Sequence, residues 1–297
     1  MRTSSSFRSL AAACIAFAAF GGTALPSQEQ LTVTLGVYSF KRPTDVYRDF
    51  LPATDALSKA LTSARQEPVL VELRVFKTYD ECIDALVADR VDFVRFGPAS
   101  YVTARQRNPK VKLLAVEEEY EEKRSKGVGV IAVAKDSPIQ TIADLAGRRF
   151  AFGDENSTIG RYLSQAQLVA AGIRASDLAK CEFLGRHDKV FKAVEVGDYD
   201  AGALHVSILE NLNKSGQLRV IAYFDNVGKP WVGRATLDAK LTKQLTDALT
   251  GLKDKPALKA LKIASLEPAK DADFELVRTG MEQAKRFDEP RAAPGKD

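Results

Sequence analysis

Short apolar segments rich in β-branched residues alternate with longer amphipathic segments along most of this chain. Residues 31–37 and 69–76 have the composition of strands, whereas residues 45–62 repeat apolar side chains at helical spacing. A strand, a helix and a strand in succession form a unit in which the helix crosses one face of a parallel sheet. The alternation therefore predicts an α/β fold with a mainly parallel sheet.

A charged segment at 117–126 separates two such series of strands and helices. The second series begins with a predicted strand at 129–134. After it, two helical segments at 237–252 and 273–287 are predicted to close the first lobe. A lobe interrupted by a complete second lobe implies two crossover strands and a cleft between the halves. That arrangement suits ligand capture by hinge closure.

This division assigns the chain to two lobes and a tail. The predicted segments are lobe 1 at 31–120 and 226–287, lobe 2 at 127–222, and a disordered polar tail at 288–297. Cys82 and Cys181 then belong to different lobes. We expect two free, buried thiols rather than a disulfide, although an oxidising compartment would permit one.

The first 24 residues have the order of a secretory signal peptide. Arg2 and Arg8 precede an apolar run at 10–20, and small residues follow at 21–24. The run is shorter than the ~20 residues that a transmembrane anchor needs. We expect cleavage at the end of this segment and a periplasmic mature protein, with lipidation of Cys14 as the alternative.

The charge balance excludes one class of partner. The sequence has 43 lysines and arginines against 39 aspartates and glutamates, and loss of the two signal-peptide arginines leaves 41 against 39. A protein that functions by binding nucleic acid or an anionic membrane surface carries a larger basic excess. We therefore expect no nucleic-acid partner.

A polar turn between a predicted strand and a predicted helix, at 150–160, is typical of an anion-binding site. Ser157 is a good N-cap, and the free backbone N–H groups behind it attract an anion together with the helix dipole. An ordinary capped helix is the alternative. The turn is not a phosphate-hydrolysing P-loop, because the Gly-Lys-Ser/Thr ending is absent.

A second helix start lies at 97–101 in the first lobe. Pro98 suits the first helical position, and Gly97 gives a ligand close access to the backbone. Tyr38 follows the first strand and is expected at the carboxyl edge of the sheet, where open α/β sheets bind ligands. Two helix starts, one per lobe, could then face each other across the cleft.

An ordered set of short motifs carries a resemblance to a known family. The motifs are Gly97-Pro98-Ala99-Ser100-Tyr101, Asp136-Ser137-Pro138-Ile139, Asp144-Leu145-Ala146-Gly147, Phe152-Gly153-Asp154 with Asn156-Ser157-Thr158, His187-Asp188 and Asp200-Ala201-Gly202-Ala203. In this order they resemble the phosphate/phosphite/phosphonate substrate-binding proteins of ABC transporters, over roughly 31–287. The resemblance implies a type II periplasmic-binding fold, a small phosphorus oxyanion as ligand, and a permease and ATPase complex as partner. We expect a monomer without a cofactor or a metal.

The resemblance also implies which groups bind the ligand: serine and threonine hydroxyls, helix-start amides, a histidine and tyrosines. The predicted set is Tyr38, Ser100, Tyr101, Ser157, Thr158, Ile159, His187 and Lys229. A lone histidine is more often a structural donor, but the matching position of His187 favours ligand binding. Its ring N–H would donate to an oxyanion oxygen, and a bound anion would favour the imidazolium. For His205 a structural role is the better interpretation.

Three departures from the family pattern bear on the ligand. Ile159 stands where many members have a second serine, so only its backbone N–H can contribute. His205-Val206-Ser207 occupies the region where binders of an aminophosphonate place a carboxylate. Lys229 stands where some relatives have an aspartate, and it either faces the cleft or is a solvated loop residue. These changes disfavour 2-aminoethylphosphonate and favour an anion without an ammonium group.

Two other functions have less support. An enzyme would need a catalytic motif, and the sequence has no His-Glu-x-x-His, no Gly-x-Ser-x-Gly and no paired-cysteine metal site. A Cys181–His187 nucleophile pair is disfavoured because a strand end and a turn would point the two side chains apart. The bound anion could instead be reported to a membrane sensor kinase, an alternative that the fold does not decide.

Overall fold

The computed structural model describes residues 30–118 and 128–290. The predicted signal peptide, most of the charged crossover segment and most of the predicted tail lie outside the described residues. Within the described ranges, no helix combines the length and the apolarity that a membrane span requires.

The described part of the chain forms eleven strands and nine α-helices. The strands are β1 (Leu31–Tyr38), β2 (Val69–Phe76), β3 (Phe93–Arg95), β4 (Lys112–Glu118), β5 (Gly129–Ala134), β6 (Arg149–Phe152), β7 (Lys180–Phe183), β8 (Ala201–His205), β9 (Leu218–Phe224), β10 (Pro230–Gly233) and β11 (Ser265–Glu267). The α-helices are α1 (Pro43–Arg65), α2 (Tyr79–Val87), α3 (Pro98–Arg107), α4 (Ser164–Ala170), α5 (His187–Glu195), α6 (Val206–Leu212), α7 (Ala239–Thr250), α8 (Lys255–Leu261) and α9 (Glu275–Lys285). A π-helical segment, Thr158–Leu163, runs directly into α4.

The strands form two sheets, one in each lobe. Their orders are β11-β4-β10-β3-β1-β2 in lobe 1 and β7-β6-β8-β5-β9 in lobe 2. β1 is parallel to β2 and β3, and β6 is parallel to β7 and β8. β10 and β5 are antiparallel to their neighbours. Each is the first strand after a crossover between the lobes. It therefore begins where the parallel strands finish and runs in the opposite direction. The predicted two-lobed α/β architecture is confirmed.

Both sheets are covered by helices on their two faces. In lobe 1, α1 buries Leu57 and Leu61 in a core cluster that includes Val33 and Leu35 of β1. The other cluster of this lobe contains residues of α2 and α3. The parallel strand β2 alternates buried and exposed residues, which is the pattern of a half-buried strand at the end of the sheet. Cys82 and Cys181 are free thiols in different lobes, the first buried and the second part-buried.

The C-terminal helix contacts both lobes, whereas the sequence assigned all of 226–287 to lobe 1. Gly280 of α9 packs so closely on Leu163 of lobe 2 that a Cβ would clash with it. Beyond the helix, Phe287 belongs to the lobe 2 core and lies edge-on to Phe152, with ring centroids 5.4 Å apart. The Ala175 N–H donates to the Phe287 carbonyl at 2.9 Å. α9 therefore connects the lobes in addition to the two crossovers.

Phe287→Ala should destabilise the protein by about 3–5 kcal/mol, because it leaves a cavity in the lobe 2 core. Urea denaturation followed by circular dichroism measures this loss. Leu276→Ala is the matched control, since this α9 side chain is 45% exposed, and its effect should stay within about 0.5 kcal/mol. Equal losses in the two variants would contradict the packing of the C-terminal segment on lobe 2.

Candidate functional site

The helix starts predicted in the two lobes meet. At the start of α3, the buried Ala99 N–H donates to Thr158 Oγ1 of lobe 2 at 2.9 Å. The Gly97 N–H donates to the Tyr38 hydroxyl at 2.9 Å. Gly97 occupies the N-cap of α3 and has no side chain with which to cap it. A phenol from the same lobe and a hydroxyl from the other lobe therefore accept the N–H groups at this helix start.

Two glycines shape the turn that carries Ser157 and Thr158. The Gly153 N–H donates to the Gly160 carbonyl at 2.8 Å, and a Cβ on Gly153 would lie 2.9 Å from the Gly160 Cα. Only glycines allow the two backbone segments to approach this closely. The Gly160 N–H in turn donates to Ser157 Oγ at 2.9 Å, so Ser157 is the N-cap that the sequence predicted.

Two tyrosines lie beside the joined helix starts. The ring centroids of Tyr38 and Tyr79 are 3.9 Å apart. Burial raises the pKa of Tyr38 to about 12 and raises that of Tyr79 well above its ordinary value. Both phenols are neutral near pH 7, as an unperturbed tyrosine also is, and the shift extends this neutral state to higher pH. Tyr79, which also interacts with Ser157, was missed by the sequence analysis; the available signal was its position just after β2, the parallel neighbour of β1.

His187 begins α5, and its ring lies against Gly153. Part of the residue is exposed, but the Nδ1 atom is closed off from solvent. Burial lowers the pKa of His187 to about 4, and the nearby charges of His205 and Lys229 add to the shift. The imidazole is therefore neutral near pH 7.

Two buried polar atoms at this joint are unsatisfied. Ser100 Oγ in lobe 1 and His187 Nδ1 in lobe 2 make no well-formed hydrogen bond within the part of the chain that the structure describes. The His187 ring does interact with the backbone of Ala203. The Ser100 hydroxyl lies close enough to Tyr38 to oppose the rise in the pKa of that phenol. A buried polar atom without a partner costs about 1–3 kcal/mol. A ligand that bonds to both atoms would recover this free energy.

A pocket of about 220 Å³ adjoins Tyr38 on the lobe 1 side; we refer to it as the lobe 1 pocket. Its charged lining consists of Lys41, Asp49, Arg95 and Lys229. Lys229 is close enough to His187 for its charge to help lower that pKa. Lys229 therefore lies near both the lobe 1 pocket and His187.

Residues 35–274 match the model of a family described as ABC transporter, phosphonate, periplasmic substrate-binding protein. The chain belongs to this family. It is 31% identical over 180 residues to a probable phosphite-binding protein of an ABC transporter from Prochlorococcus marinus, an alignment that covers 54% of this chain and 59% of that relative. It is 27% identical over 233 residues to a phosphate-import protein from Mycolicibacterium smegmatis, covering 71% of this chain and 70% of the relative.

Solved structures of phosphonate-family binding proteins share the fold. A Prochlorococcus marinus protein in complex with methylphosphonate superposes with a TM-score of 0.70 at 23% identity, covering 86% of this chain and 98% of the other. A binding protein component of an ABC phosphonate transporter from Pseudomonas aeruginosa has a TM-score of 0.72 at 19% identity, with coverages of 87% and 88%. The predicted type II periplasmic-binding fold is confirmed.

Not every residue carried over from the family pattern reaches the joint between the lobes. The side chain of Tyr101 packs against Phe274 in the lobe 1 core, and its hydroxyl donates to Asp271 at 2.6 Å. Successive residues of a helix point about 100° apart, and in α3 the direction of Tyr101 is towards the lobe 1 core. The placement of Tyr101 as a cleft residue is therefore corrected. Ile159 contributes its side chain to the lobe 2 core.

The titration of His187 gives a direct test of its burial. We expect a pKa near 4 for His187 in the folded protein without ligand, measured by NMR, with His205→Gln used to assign the two imidazole signals. Because the folded pKa is below the ordinary value near 6.5, the neutral ring favours folding above pH 6.5, and this contribution is lost as the pH falls towards 4. His187→Gln should flatten the pH dependence of stability in that window. A His187 pKa of 6.5 would contradict the enclosed ring.

Proposed function

We propose that this chain captures a small phosphorus oxyanion (phosphonate, phosphite or phosphate) between its lobes and delivers it to the permease and ATPase of an ABC importer. The observation that carries the proposal is the pair of buried, unsatisfied atoms, Ser100 Oγ and His187 Nδ1, one from each lobe. A tetrahedral oxyanion presents oxygens in several directions at once, so it can bond to both lobes together.

Three hydroxyls around the joint act as acceptors of backbone N–H groups. Tyr38, Ser157 and Thr158 each accept one backbone N–H through the side-chain oxygen. A hydroxyl that accepts in this way still has its own hydrogen to donate. Donation to an ionised oxygen is about twice as strong as donation to a neutral one. In the proposed site these three hydrogens, the Ser100 hydroxyl and helix-start amides such as that of Ile159 surround the anion.

His187 completes this arrangement from lobe 2. As a neutral ring it can accept the proton of a P–OH group or donate from a ring N–H, depending on tautomer and on the protonation of the ligand. A fully ionised ligand would raise the pKa of His187 and favour the imidazolium, while Lys229 adds positive charge nearby. Binding of such an ionised ligand would therefore favour protonation of the His187 ring, which is neutral in the free protein.

We propose binding without catalysis. Burial raises the pKa of the Cys181 thiol, which disfavours the thiolate that a cysteine nucleophile requires. Among the described residues, no group of three or more His, Cys, Asp or Glu side chains could hold a metal ion. Membership of a transporter family favours delivery to a permease. No specific observation supports the alternative of signalling to a sensor kinase.

Thr158→Ala should weaken the binding of phosphite and methylphosphonate by about ten- to a hundredfold, because it removes a desolvated, charge-assisted hydrogen bond. Isothermal titration calorimetry measures the effect. Thr158→Ser is the matched control, since it keeps the hydroxyl and should retain most of the affinity. Wild-type affinity in Thr158→Ala would place the anion elsewhere.

A further inference from the structure

The start of α2 in lobe 1 contacts the lobe 2 turn that carries Ser157 and Thr158. Asn156 Nδ2 of this turn donates to the Asp80 carboxylate of α2 at 3.3 Å. An ionised carboxylate only accepts hydrogen bonds, so the amide nitrogen of Asn156 must face it. This hydrogen bond joins the lobes on the α2 side, in addition to the bond at the start of α3. We refer to it as the latch.

Asn156 is held in place by its own turn. Its backbone N–H donates to Asp154 Oδ1 at 2.8 Å, and the Ser157 N–H donates to the Asp154 carbonyl at 3.0 Å. Asn156 is part-buried, and Ser157 beside it is buried. Because these residues are adjacent and share the same hydrogen bonds, they move together. The latch therefore restrains the turn that contributes Ser157 and Thr158 to the proposed anion site.

The latch acts against a repulsion between carboxylates. The pKa of Asp154 is raised, chiefly by burial, and the Glu155 and Asp80 carboxylates add to the rise. Joining the lobes thus brings the negative charges of Asp80 and Asp154 close enough to oppose each other, while the Asn156 amide attracts Asp80. Since Asp80 is exposed, water and salt weaken both interactions. A contact of this modest strength can form and break as the lobes move.

We propose that Asp80 and Asn156 are positioning residues for ligand capture: their hydrogen bond stabilises the joined lobes and thereby slows the release of a bound oxyanion. Neither residue needs to touch the ligand. The effect on release rests on the proposed function, whereas the effect on the lobes does not. Release requires the lobes to separate, so a contact that favours the joined state lowers the dissociation rate more than it changes the association rate.

Amide hydrogen exchange, measured by NMR on the ligand-free protein, tests the latch without a ligand. The Ala99 N–H donates to Thr158 Oγ1 across the lobes, so it exchanges when the lobes separate. Asn156→Ala should accelerate this exchange by about two- to fivefold. The Gly160 N–H bonds to Ser157 Oγ within lobe 2. It is the internal control and should keep its exchange rate.

Further variants separate the latch from a general effect on the turn. In an Asp80→Ala background, Asn156→Ala should cause no further acceleration, because the partner of the amide is already absent. Asn156→Asp keeps the shape of the side chain but places a like charge opposite Asp80, so it should accelerate Ala99 exchange more than Asn156→Ala does. Asp84→Ala is the matched control on α2, since the Asp84 carboxylate pairs with Arg107 within lobe 1. It should leave the Ala99 exchange rate unchanged.

Dissociation of methylphosphonate, measured by stopped-flow displacement, should be faster in Asn156→Ala by a similar factor, with a smaller change in the association rate. Unchanged Ala99 exchange in Asn156→Ala would overturn the latch, and so would equal acceleration with and without the Asp80 carboxylate. Accelerated exchange with unchanged dissociation would overturn the role in ligand capture. In each of these cases tight binding of methylphosphonate leaves the proposed function standing. Wild-type protein that binds neither phosphite nor methylphosphonate would overturn the proposed function, and Ala99 exchange would still decide the latch.

Discussion

The hydrogen bond from the Ala99 amide to the Thr158 hydroxyl is the contact on which the arrangement of the two lobes depends at the site. The N–H groups in the first turn of a helix have no partner within the helix, and a glycine N-cap supplies none. α3 begins with Gly97, so its start needs acceptors from elsewhere. Tyr38 provides one from lobe 1 and Thr158 provides the other from lobe 2. The need to satisfy one helix start thereby brings together side chains that are 120 residues apart in the sequence, from Tyr38 to Thr158.

The interior of the site relies on oriented dipoles more than on formal charge. The phenols of Tyr38 and Tyr79 are neutral near pH 7, as tyrosines ordinarily are, and burial raises their pKa values further. Burial lowers the pKa of His187 and thereby favours its neutral ring. Hydroxyls and amides fixed by their own hydrogen bonds stabilise an anion in a low-dielectric site without reorganising. The formal positive charges lie to one side, in the lobe 1 pocket.

Any opening of the cleft must preserve the contacts that join the lobes elsewhere. Gly228, just before β10, packs against the end of β4 so closely that a Cβ would collide with the Glu117 carbonyl. α9 adds a third connection, since it contacts α3 of lobe 1 and α4 of lobe 2. Its small residue Gly280 permits the close approach to Leu163. A hinge motion is therefore restricted to rotations that let α9 keep its contact with at least one lobe.

Much of the fold could be read from local pattern. The predicted strands at 69–76 and 129–134 coincide with β2 and β5, and the predicted helix at 45–62 lies within α1. The N-cap at Ser157 could also be predicted from the sequence, because a capping hydrogen bond spans only a few residues. Tertiary structure alone decided four features: the side of α3 that faces the cleft, the close packing of Tyr79 on Tyr38, the location of Lys229 and the attachment of Phe287 to lobe 2. Periodicity and capping depend on near neighbours in the chain, whereas these four features depend on packing between segments that the sequence does not place in contact.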